Sequence, residues 1–237
     1  MMYRGCATAI LLLAWTAFCG PLFSVGANVG GTESGVEVSK MPQGISTTAN
    51  NWTGYVMFGL FGEMKLSEYF GAGIGASYEA RGGSVDGYIP TILGVVTGGE
   101  TFDYRYLQIP FYMKGTIPLM IPGSVFVTLG PELGVKLESQ RTTKFYNVNI
   151  PGYPKMDNID SITEPLDFGV SASLGYELPI SWFGGLRACV GYYYSFIDIY
   201  HDKTLTTTGT SLDYDIFNRA FKYGLSFYVN INAARRR

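Results

Sequence analysis

The sequence predicts an all-β fold: an eight-stranded antiparallel up-and-down transmembrane β-barrel with short turns at one end and long loops at the other. Three observations carry this prediction. Bulky apolar residues alternate with small, polar or charged ones at a period of two in segment after segment, the signature of a strand with two unlike faces. The connections between those segments alternate long and short. The composition, with 31 Gly, 18 Tyr, 15 Phe and 15% charged residues, falls well short of the about 25% charge usual in a soluble domain. A net charge of −2 leaves no basic footprint for nucleic acid.

The N-terminus reads as a secretory signal, residues 1–19, with Arg4 as the charged start and "ATAILLLAWTAF" as the apolar run. Cleavage falls between 19 and 27, after "AFC" or after "VGA", and the earlier point is preferred because alternation begins at Leu22. Cys19 as a lipid-modified N-terminus is the alternative. Residues 20–232 form the barrel and 233–237 a basic tail. Once the signal leaves, Cys189 stands alone, so no disulfide framework is expected.

The elements follow in order. Phe23, Val25, Ala27 and Val29 alternate with Ser24, Gly26, Asn28 and Gly30. The segment from Trp52 to Glu63 is apolar on both faces, with Trp52, Val56, Phe58 and Leu60 assigned outward. Phe70, Ala72, Ile74, Ala76 and Tyr78 oppose Gly71, Gly73, Gly75, Ser77 and Glu79. In "FDYRYLQIPFYMKG", Leu107, Ile109, Phe111 and Met113 make one face, and Tyr106, Gln108, Tyr112 and Lys114 the other. Pro110 removes a ladder donor there, so a bulge or local break is expected. The next strand sets Val125 to Leu137 in odd positions against Phe126 to Glu138 in even ones. Leu166 to Glu177, Leu186 to Phe196 and Phe221 to Ile231 repeat the pattern. Connections fall at 32–51, 64–68, 82–102, 116–122, 139–163, 179–181 and 201–216. Short turns on one side and longer loops on the other are what a membrane barrel shows.

Alternation alone leaves the inside open. Eight strands enclose a space that side chains just fill, and the bulky face would overfill it. The apolar face is therefore assigned to lipid, through Leu107, Ile109, Phe111, Leu129, Leu133, Leu174, Val190 and Leu225. The lumen receives the glycines, the serines and a charge network of Glu79, Lys114, Glu132, Lys136, Arg187 and Lys222. Aromatics near strand ends (Trp52, Phe70, Tyr78, Phe168, Tyr176, Trp182, Tyr200 and Phe221) are placed as girdles.

"YLQIPFYMKG", "VTLGPELGVKL", "FGVSASLGYEL" and the strand around Arg187 resemble, in that order, the PorT-like outer-membrane β-barrel proteins. The resemblance covers most of the chain after the signal. It implies an eight-stranded barrel in a bacterial outer membrane, with both termini in the periplasm and a final strand, "KYGLSFYVNIN", read by the insertion machinery. The tail "AARRR" departs from a terminal aromatic residue.

Function follows only coarsely. No metal-ligand spacing appears, no cofactor is implied, and His201 beside Asp202 has no serine motif to serve. The glycines at 71, 73 and 75 precede no helix, so packing explains them better than nucleotide binding. The expectation is a monomeric, non-enzymatic barrel with a narrow or closed lumen. Its partners would be outer-membrane lipids, the insertion machinery and, through the loops, an extracellular ligand or host molecule; alternatively its lumen would pass a small solute. The alternatives are a lipid-modifying outer-membrane enzyme and a soluble periplasmic ligand-binding barrel.

Overall fold

The computed structural model describes residues 22–38, 46–91, 94–149, 151–199 and 216–231. The expected signal, the basic tail, Tyr200 and His201 lie outside them. Ten strands are described: β1 (Leu22–Val38), β2 (Ser46–Asn51), β3 (Thr53–Lys65), β4 (Phe70–Thr91), β5 (Gly94–Pro118), β6 (Ser124–Phe145), β7 (Lys155–Asn158), β8 (Leu166–Ser181), β9 (Gly184–Ser195) and β10 (Ile216–Asn230). Eight of them close an antiparallel wall in the order β1, β3, β4, β5, β6, β8, β9, β10 and back to β1. Strands β2 and β7 add to the sides of β4 and β6 beyond the barrel. Closure pairs every wall strand on both sides, which is the condition for a sheet to cross hydrocarbon.

Three tight turns, at 66–69, 119–123 and 182–183, mark one end. The other end differs from the expected loops. The predicted connection 82–102 is not a loop: β4 and β5 continue as a ladder from Gly82↔Asp103 to Thr91↔Gly94. Likewise β6 runs to Phe145, and β7 pairs back on it inside the predicted loop 139–163. The β-branched residues of "YIPTILGVV" favour strand, while the glycines around them hid the alternation.

Outward positions carry the bulky apolar residues. Leu225 is 63% exposed, Val190 60%, Leu129 56%, Leu174 52% and Phe111 46%; Leu107 is also exposed, and Ile109 and Leu133 are half-buried. The inner face is small and polar because it must also admit rings. A Cβ at Gly73 would lie 2.3 Å from the Tyr112 ring, one at Gly26 2.4 Å from Phe61, and one at Gly175 2.4 Å from Phe126. Each glycine is the floor under an inward aromatic from a neighbouring strand.

Of the two expected accommodations, Pro110 produces the local break and not the bulge. The β4–β5 register is the same at Ile74↔Phe111 and Ser77↔Gln108, with the bridges between them absent. Gly75 makes this possible: a Cβ there would stand 3.2 Å from the proline Cγ. The irregularity lies instead between Arg105 and Tyr106, opposite Glu138 and Lys136, with Leu137 left over. One unpaired residue reverses the facing of everything beyond it. Glu138, expected inside, therefore pairs with Arg105, whose side chain is half-exposed, while Ser139 turns inward and is buried.

Candidate functional site: a charge-filled, capped lumen

The inner face gathers charges at two levels. Near the short turns, Glu63 of β3 accepts two bonds from Arg187 of β9, at 2.9 and 3.0 Å, and one from Lys114 of β5 at 2.9 Å. Glu177 of β8 accepts from Lys114 at 2.5 Å and from Arg187 Nε at 2.7 Å. Two carboxylates meet two cations, so this level is neutral. Rings enclose the guanidinium of Arg187, with Tyr228 4.4 Å and Phe61 5.1 Å from its centre. The forked geometry suits arginine.

The second level is built on Arg81 of β4, which is fully buried. Its Nη2 donates to Glu79 at 2.8 Å and Glu132 at 2.6 Å, and its Nη1 to Asp167 at 3.4 Å. Lys222 of β10 donates to the same Glu79 and Glu132 at 3.0 and 2.6 Å. The Gln108 amide, oriented so that both its ends find partners, donates to Glu132 at 3.2 Å and accepts from Arg81 at 3.1 Å. Ser77 donates to Glu79, Ser195 to Asp167, and Asn218 to Asp167. The Tyr193 ring lies 3.9 Å from the guanidinium centre. Three carboxylates against two cations leave one net negative charge, spread over hydroxyl and amide donors.

An apolar cap covers this level at the long-loop end. Val36, Phe102, Tyr104 and Tyr106 point inward from the wall, and Ile159 and Ile199 descend onto them from the connections. Polar latches hold those connections. Lys136 donates to the carbonyls of Asp160 and Thr163 at 3.0 and 2.8 Å. The Asp160 carboxylate accepts from the Ser139 amide and hydroxyl, both at 2.6 Å, and from Asn158. Glu164 N donates to the Ile199 carbonyl at 2.7 Å, tying one connection to the other. Partial burial pushes the Asp160 carboxyl up, but the Ser139 and Asn158 bonds and the Lys136 charge outweigh it and hold it below its usual value.

The wall has one side-chain seam beside the cap. The β3–β4 ladder ends at Met57↔Glu79. Above that point, Ser34 of β1 accepts from Gly82 N at 2.7 Å and donates to Gly82 O at 2.9 Å. The Tyr55 hydroxyl crosses to Asp103 at 2.5 Å.

A family model described as an outer membrane protein beta-barrel domain matches residues 22–201. The chain belongs to this family. It is an outer-membrane β-barrel. Comparison with curated proteins gives no match. Among solved structures the chain is similar to the outer membrane protein OprG from Pseudomonas aeruginosa, at 12% identity and a TM-score of 0.48 over 88% of this chain and 95% of that one. It is similar to Neisserial surface protein A at 11% identity and 0.43, over 88% and 97%. It is also similar to the outer membrane protease OmpT from Escherichia coli at 9% identity and 0.38, over 89% and 97%.

Within this outer-membrane barrel the expected lumen charges separate. Glu79, Glu132 and Lys222 meet at one level, whereas Lys114 and Arg187 meet at the other. Lys136 joins neither. It stands just before the Leu137 irregularity and spends its ammonium on the cap carbonyls. Sequence reasoning missed Glu63, Arg81, Asp167 and Glu177. Asp167 and Glu177 carried the same parity signal as the residues that were chosen. Arg81 sat at the margin of its predicted strand, and Glu63 in a segment apolar on both faces. Among the described residues no group of His, Cys, Asp and Glu is arranged to hold a metal.

Proposed function

We propose that this outer-membrane barrel is a PorT-like, non-enzymatic protein with a closed lumen, whose working surface is the long-loop end. The observation that supports it is the stacking of two ion-paired levels beneath an apolar cap. A steady aqueous path would have to break both Arg81 and Arg187 from their carboxylates and lift Ile159 and Ile199. The lumen then acts as a rigid strut, and the extended β4–β5–β6 wall presents a surface to an extracellular ligand. Function on loops held by a rigid scaffold is a common arrangement.

Planar-bilayer recording of the purified full chain tests the closed lumen. Near-zero conductance is expected. Stable open steps in the unsubstituted protein, or liposome swelling with small sugars, would replace this reading with solute passage. The non-enzymatic part is checked by assaying phospholipid and peptide hydrolysis with the parent and His201→Ala. Activity lost in the variant would overturn it.

A further inference from the structure

The three turns of the short-turn end differ in charge. The β5–β6 turn presents Leu119, Met120 and Ile121 between two prolines, with Met120 fully exposed and Ile121 61% exposed. This turn has a fixed shape: Leu119 N donates to the Gly123 carbonyl at 3.2 Å, and the Tyr176 hydroxyl donates to the Pro122 carbonyl. From Gly115 to Pro131 the chain carries no charged residue. The β8–β9 turn is its neighbour in the wall, because β6 pairs with β8. It presents Ile180, Trp182 and Phe183, all exposed, with no charge between Glu177 and Arg187. The β3–β4 turn, the neighbour of β5–β6 on its other side, also exposes Leu66, Tyr69 and Phe70, but it sets the exposed charges of Lys65 and Glu68 among them. Its Ser67 hydroxyl accepts from the amides of Tyr69 and Phe70.

The two apolar turns continue the outward belt. Phe111, Met113 and Ile117 lead down β5, Leu129 and Val127 down β6, and Leu174, Leu178 and Ile180 down β8, all exposed. A water-facing turn gains nothing from three large apolar side chains with no charge among them, and a contiguous apolar patch marks a binding surface. Continuity with the belt selects the occupant. Side chains already meeting acyl chains pass into these turns without a polar ring between them.

We propose that the β5–β6 and β8–β9 turns form an apolar foot that docks into the bilayer, while the β3–β4 turn stays in water. The barrel is then tilted toward its β5–β9 half. This inference rests on the outer-membrane placement and is independent of whether the lumen is closed.

Site-specific cysteine accessibility tests it. Met120→Cys, Ile121→Cys and Glu68→Cys full-length chains are reconstituted into phosphatidylethanolamine–phosphatidylglycerol vesicles. A charged maleimide is supplied on both faces, and the background of the unsubstituted protein is subtracted. Folding is verified by heat-dependent gel mobility, and urea-unfolded samples supply each site's intrinsic rate. After that normalisation, Met120→Cys and Ile121→Cys are expected to react at least tenfold more slowly than Glu68→Cys. A smaller ratio overturns the proposal. Protection in native membranes without protection in vesicles also overturns it, and assigns the foot to a protein partner. Two foot positions keep the test valid if one variant fails to fold.

Discussion

Arg81 is the residue on which most of the lumen depends. It is fully buried, touches three carboxylates and lies against Tyr193. Removing one partner from a buried ionic group leaves the others uncompensated, at a cost of about 3–5 kcal/mol. Arg81→Ala should therefore lower the unfolding free energy of the liposome-embedded barrel, read from urea curves, by that amount. Arg105→Ala is the contrast. Its pair with Glu138 is half in solvent, and such pairs contribute roughly 0–1 kcal/mol. Equal losses in the two variants would remove the distinction between lumen and rim. The inner glycines belong to the same scale. Gly175→Leu would drive a side chain into the Phe126 ring, which a Cβ alone would approach to 2.4 Å. A destabilisation of about 1–3 kcal/mol is expected from overpacking, read from the same unfolding curves.

At the scale of elements, the cap is made by connections rather than strands, and Asp160 is its lock. Its folded pKa lies below its ordinary value, so the stabilisation is complete above the unfolded carboxylate's pKa of about 3.9. It is lost as pH falls through the lower folded value. Hydrogen exchange of the amides from 159 to 163, corrected for intrinsic rates, should be slow and constant from neutral pH down to about 5. It should accelerate only in stronger acid. Asp160→Asn should show the fast rate throughout, and a midpoint near neutrality would assign the lock to another group. This element was not legible in the sequence. Alternation located the eight wall strands because a strand with two unlike faces has no other stable pattern. It failed where the period itself changes, as at Leu137, and where glycines interrupt it, as between Gly82 and Gly99. It could not foresee that Lys136 would hold carbonyls of the cap, since a parity rule knows nothing of what a connection brings back.

For the whole molecule, the facing of the wall decides everything else, and its energetic signature is a dependence on depth. Leu129 is exposed on the outside of β6, paired with Met113 and Ala172, five residues from the strand's short-turn end at Ser124. Leu137 is exposed to a similar degree on the same strand, but at the irregularity beside the long-loop rim, next to Glu138. In water the two positions would tolerate arginine alike. In a bilayer, arginine costs about 2–4 kcal/mol at the midplane and roughly 0–1 near the interface. Leu129→Arg should therefore lose several times more stability than Leu137→Arg when unfolded by urea from phospholipid vesicles. Both variants should keep the gel-mobility shift of a closed barrel before denaturation. If the two losses are equal and small, the belt at Leu129 does not lie in acyl chains, and the apolar foot below it loses the surface from which its lipid contact was argued.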